Sequence, residues 1–93
     1  MRAIWKDVVI AEGNDVVVVD GYSYFRKQDV KSGALDPSDH TSTCPWKGQA
    51  RYYNVRADGE VNSDAAWEYP KPKAAAATVS DRIAFWKGVR IES

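Results

Sequence analysis

The sequence predicts a mainly β fold: a single compact domain of twisted antiparallel sheet carrying one short helix near residues 73–79. Three observations lead there. Short runs of β-branched and aromatic residues recur along the chain, each cut off by Gly, Asn, Asp or Pro. Only one segment, Lys73 to Val79 with its four consecutive alanines, has the composition of a helix. The 93 residues leave room for one core, and 4 Trp, 5 Tyr and 2 Phe supply the large side chains that so small a core needs.

The first third is strand-like. Ala3-Ile4-Trp5 and Val8-Val9-Ile10-Ala11 flank Lys6-Asp7, a two-residue hairpin turn. Gly13-Asn14-Asp15 turns the chain into Val16–Asp20, whose four valines predict a strand buried on both faces. Tyr22-Ser23-Tyr24-Phe25 resumes after Gly21, and Arg26 to Lys31 allows a single helical turn. Ser32 to Thr43 is rich in Ser, Gly, Asp, Pro and Thr and predicts a long loop, a feature that is usually functional or disordered. Gln49 to Arg56 predicts a strand ended by the hairpin signal Asp58-Gly59. Its partner is short, near Val61-Asn62, followed by Ala65 to Tyr69 up to Pro70. A last hairpin runs from Ile83 to Trp86, turns on Lys87-Gly88 and returns through Val89 to Glu92. Trp-Lys occurs at Trp5-Lys6, Trp46-Lys47 and Trp86-Lys87 without a fixed period, which fits shared turn chemistry and not duplicated halves.

Composition narrows the function classes. Thirteen basic and thirteen acidic residues cancel, so no broad field attracts nucleic acid or an anionic membrane. The run Val16 to Val19 is far too short to span a bilayer, and Arg2, Lys6 and Asp7 sit where a signal peptide needs its apolar stretch. One cysteine makes no internal disulfide, and no Cys or His pairs exist to hold a structural zinc. The expectation is a soluble, cytoplasmic monomer or homodimer with no metal and no cofactor, whose partner is a small molecule of unknown identity.

Residues 38 to 53 concentrate the chemistry. The only histidine, His40, precedes the only cysteine, Cys44, by four positions, and Trp46-Lys47-Gly48 and Arg51-Tyr52-Tyr53 follow. Pro37-Ser38-Asp39, Thr43 to Gly48, Ala50 and Tyr52-Tyr53 resemble the signature of the bacterial family catalogued as domain of unknown function 427. Asp64-Ala65-Ala66-Trp67 with Tyr69, Pro70 and Pro72 is similar to that family's second motif. Ile83 to Trp86 resembles its C-terminal segment, and Tyr24 to Val30 its strand and turn before the loop. The resemblance covers about the whole chain and implies a twisted antiparallel domain related to the β-tent group. Members of that group hold zinc between two Cys-x-x-Cys hairpins, a role that a single Cys44 cannot carry over. A nucleotidyltransferase-like label attached to the family implies clustered carboxylates and a glycine-rich phosphate loop; here Asp36 and Asp39 are the only nearby pair and no such loop appears.

The residues themselves leave alternatives open. Cys44 is either a structural thiol or a nucleophile with His40 as base and Lys47 or Arg51 as the neighbouring charge. In the strand, alternation sends Tyr52 and Tyr53 to opposite faces, with Arg51 on the face of Tyr53. Trp46, Lys47, Gly48, Arg51, Tyr52, Tyr53, Trp67 and Tyr69 are the candidate ligand-binding residues, forming an aromatic and basic cleft. Arg51 would anchor a planar anion while rings stack on it, with Trp46 at the mouth. The bland alternative is that the aromatics are core and the loop's Ser, Thr and Asp side chains serve its own backbone. A thiol-dependent enzyme using Cys44 and a protein-interaction module are the competing functions.

Overall fold

A computed structural model describes residues 1–93. Nine strands and two short 3₁₀ helices follow one another: β1 (Arg2–Trp5), β2 (Val8–Glu12), β3 (Val16–Val19), β4 (Tyr22–Arg26), a 3₁₀ turn at Lys27–Asp29, β5 (Leu35–Cys44), β6 (Gly48–Ala57), β7 (Glu60–Glu68), a 3₁₀ helix at Ala74–Val79, β8 (Arg82–Phe85) and β9 (Arg90–Glu92). They form a three-stranded sheet in the order β2-β1-β9 and a six-stranded sheet in the order β3-β4-β8-β7-β6-β5. Every pairing is antiparallel.

The larger sheet is the middle layer, because its strands bury residues on both faces. Phe25, Tyr53, Val55, Ala66, Ile83 and Phe85 pack toward Ala3, Ile10 and Ala11 of the smaller sheet. Their strand neighbours Tyr24, Tyr52, Trp67 and Ala84 point the other way and are covered by Ala76 and Val79 of the 3₁₀ helix. Register aligns these residues across the sheet: Val17 pairs with Tyr24, Tyr24 with Ala84, Ala84 with Trp67 and Trp67 with Tyr52. An aromatic row thus crosses the face from β4 to β6. The short helix falls where the alanines predict it, but as 3₁₀ turns interrupted at Ala76 (φ −117°, ψ 26°). Six residues are too few to offset the cost of nucleating an α-helix.

Four local expectations need correction. Most of the segment Ser32–Thr43 is not loop: Leu35–Cys44 is a ten-residue strand paired with β6, with a register break between Pro37 and Thr41. The valines of β3 are not buried on both faces, because β3 is the edge of the larger sheet and Val18 is 61% exposed. Val61 to Glu68 belongs to one continuous strand, β7. The last turn does form, with Val89 N–H donating to the Trp86 carbonyl at 3.2 Å, yet β8 and β9 do not pair. β8 joins β4 and β7, while β9 crosses to β1 in the other sheet. No helix is long and apolar enough to cross a membrane.

Candidate functional site

The loop between β5 and β6 is built on Cys44 and Gly48, which pair as its closing residues. Gly48 takes φ 115°, and a Cβ there would meet the Lys71 carbonyl oxygen at 3.3 Å. The Lys73 N–H donates to the Lys47 carbonyl at 2.9 Å, so the segment after β7 is pinned against this loop. Lys47 is 6% exposed, and its ammonium meets Asp20 Oδ2 at 2.5 Å. The same ammonium lies over the rings of Trp46 (4.6 Å) and Tyr69 (5.8 Å) and 3.9 Å from Cys44 Sγ. Burial opposes its charge most strongly of any single influence, but the hydrogen bond to Asp20 together with the nearby Tyr24, Cys44 and Asp20 charges outweighs it, and the Lys47 pKa is raised. At Cys44, burial likewise pushes against ionisation; the backbone N–H groups of Lys47 and Trp46 and the Lys47 charge prevail, lowering the thiol's pKa.

Around this cluster lie the aromatic residues. Trp67 Nε1 donates to the Tyr24 hydroxyl at 3.3 Å, and Tyr22 and Trp86 meet Trp67 edge to face, with centroids 4.9 and 5.7 Å away. Burial raises the pKa of Tyr24 and of Tyr69. His40 packs its ring on Tyr52 at 4.5 Å, and Tyr52 shares a 3.0 Å hydrogen bond with Ser42. His40 makes no hydrogen bond to Cys44; the group beside the thiol is the Lys47 ammonium.

The opposite face of β6 holds Arg51 and Tyr53, as strand alternation requires. The Arg51 guanidinium sits 5.8 Å from the centre of the Tyr53 ring. Beneath it, the Tyr53 hydroxyl donates to Glu68, a carboxylate that is 4% exposed and is paired with Lys27 at 2.8 Å. Burial first and Glu68 second push the Tyr53 pKa up to about 12, so this hydroxyl is held as a donor. Arg51 faces an open cleft of about 510 Å³ shared with Ser38, Asp39, Thr41, Gln49, Pro70 and Lys71. It is the one arginine of six that has no carboxylate partner.

The residues singled out by sequence therefore divide. Cys44, Lys47, Tyr52, Trp67 and Tyr69 gather on one face together with His40, while Arg51 and Tyr53 lie on the other. Trp46 caps Lys47 and does not stand at the mouth of the Arg51 cleft, which no aromatic ring lines. The expected single aromatic and basic pocket is in fact an aromatic face and a separate polar cleft. Sequence reasoning passed over Asp20, Tyr24, Gln49, Thr41 and Lys71. Two of them gave a signal: Gln49 shares the face of Arg51 by strand alternation, and Lys71 is a cation held between Pro70 and Pro72 in the second motif.

A family described as a domain of unknown function (DUF427) matches the chain over residues 1–93. The chain belongs to this family. No curated protein matches it. The DUF427 match spans the aromatic face and the polar cleft alike, and the β5–β6 hairpin is one of the segments whose residues carried the resemblance. No three His, Cys, Asp or Glu side chains of this DUF427 domain gather in a way that would hold a metal ion.

Proposed function

We propose that this DUF427 domain binds a small anionic molecule in the cleft beside Arg51. The observation that carries the reading is the unpaired guanidinium: five arginines are neutralised by Asp or Glu, and the sixth faces the largest concavity with Lys71 beside it. A guanidinium binds two oxygens of a carboxylate or phosphate at once, which an ammonium cannot match in geometry. Ser38, Thr41 and Gln49 offer further hydrogen bonds, and Asp39 favours a ligand that also carries a hydroxyl or amino group. The absence of a lining ring favours an anion gripped by polar groups over a stacked planar one. The zero net charge gives no broad positive field to draw nucleic acid or an anionic membrane to the protein, which favours a small anion as partner.

The test is a thermal-shift and titration screen of carboxylates and phosphate monoesters. A ligand of this cleft raises Tm, and Arg51→Ala weakens its binding by roughly 1.5–3 kcal/mol, about ten- to a hundredfold in Kd. The variant's own melting temperature stays near that of the parent, because Arg51 is exposed and makes no ion pair, and its contact with the Tyr53 ring is a weak one at an exposed site. A panel in which no anion stabilises the protein, or a shift that Arg51→Ala leaves intact, defeats the proposal.

A further inference from the structure

Cys44 and Lys47 bracket Pro45-Trp46 at the tip of the β5–β6 hairpin, and their reactive atoms converge. Sγ and Nζ stand 3.9 Å apart, with Cys44 half-buried and Lys47 buried. Lys47 is held there by Asp20 on one side and by the Trp46 and Tyr69 rings on the other. Its long side chain therefore does not sample solvent as a surface lysine does. No second cysteine exists with which Cys44 could form an internal disulfide.

We propose that Cys44 and Lys47 form an oxidative modification site at which a peroxide joins Sγ to Nζ through one oxygen atom. A first hydrogen peroxide transfers an oxygen to the Cys44 sulfur, giving the sulfenic acid and water. Loss of one Lys47 ammonium proton to water frees the nitrogen lone pair, against the hold of Asp20 on the charged form. A second hydrogen peroxide accepts two electrons as the N–O bond forms; the S–O–H and N–H protons leave in two waters. The sum is one thiol, one amine and two hydrogen peroxide giving Cys–S–O–NH–Lys and three waters. An oxygen bridge spans more of the 3.9 Å gap than a direct S–N bond would, so it displaces Lys47 less from Asp20. A thiol whose ionisation is assisted by the loop's N–H groups and by Lys47 is the form that peroxide attacks.

Intact-mass measurement after treatment with a few equivalents of hydrogen peroxide tests this. The expected product is about 14 Da heavier, does not react with thiol reagents, and returns to the starting mass with dithiothreitol. Trypsin no longer cuts after Lys47, so a peptide from Ser32 to Arg51 carries the increment. Lys47→Arg keeps a cation beside the thiol but shows only the gains of about 16 and 32 Da expected of sulfenic and sulfinic acids. Wild-type protein that shows only those gains, with cleavage after Lys47 intact, overturns the proposal. A loss of about 2 Da also overturns it, by showing a direct S–N bond. The digest of wild-type protein decides the matter even where Lys47→Arg does not fold.

Discussion

Gly48 joins the two sides of the molecule through a single residue. Its φ of 115° lies where an L side chain is strained, and the space a Cβ would enter ends at the Lys71 carbonyl oxygen 3.3 Å away. Gly48→Val therefore combines an unfavourable backbone with a clash against main chain that is tied down by the Lys73–Lys47 hydrogen bond. The expected cost is about 2 kcal/mol, a fall in Tm of roughly 10 °C by calorimetry. A melting temperature within a degree or two of the parent would mean that the loop relaxes freely. Such a positive-φ glycine is legible in sequence because it ends a turn and opens a strand, and Arg51 and Tyr53 are assigned to one face by period-two alternation alone. Partners that come from afar are not legible: Asp20 reaches Lys47 from 27 residues away, and nothing local in Val-Val-Asp-Gly announces an ion pair.

At the scale of elements, the first hairpin shows turn geometry prevailing over turn composition. Lys6 and Asp7 both take positive φ (54° and 61°), the conformation that favours Asn-Gly and that costs other residues about a kilocalorie or more. Replacing the pair by Asn-Gly is expected to raise stability by about 1 kcal/mol, or Tm by roughly 5 °C. The exposed Lys6–Glu60 pair at 3.6 Å that is lost in the exchange contributes little. Thermal melts of the double variant check this, and a lower Tm would show that Lys6 contributes more through Glu60 and the Trp5 ring than the backbone costs. The same hairpin was visible in sequence because β1 and β2 carry apolar residues inward. Strand β5 was not, for the opposite reason. As an edge strand with mostly exposed side chains, it is held by its ladder to β6 and needs no hydrophobic alternation, so Asp, Pro, Ser, His and Thr suffice. The valine tract misled in the complementary way: β-branched residues state a preference for extended backbone, not a position within the sheet. Residues 82–92 read as a hairpin because local sequence specifies the turn; whether the arms pair is decided by β1 and β4, which lie far away in the chain.

The whole molecule is a sheet with a packed layer on each side, and tyrosines sit in both layers. Tyr24 and Tyr69 lie under the 3₁₀ helix, and Tyr53 lies on the other face with its hydroxyl against Glu68. Burial raises the pKa of all three, that of Tyr53 to about 12. An unfolded tyrosine ionises near 10, so above that pH the unfolded chain releases protons that the native fold retains. Stability from these buried phenols is then whole below about pH 10 and declines as pH rises toward the native value, about 12 for Tyr53. The expected result is a melting temperature that falls steeply above about pH 10. Tyrosinate absorbance should show these three phenols ionising only as the fold opens. The tyrosines of both layers ionise in the unfolded chain from about pH 10, so loss of the aromatic face and loss of the core between the sheets should coincide in one transition. Tyr53→Phe separates the contributions. It removes one late-titrating hydroxyl and should flatten the alkaline decline, while leaving Glu68 only its Lys27 partner and lowering stability at neutral pH. A Tm that holds level up to about pH 12, or ionisation of Tyr24, Tyr53 or Tyr69 near pH 10 with the fold intact, would contradict the burial of these hydroxyls in the middle of the molecule.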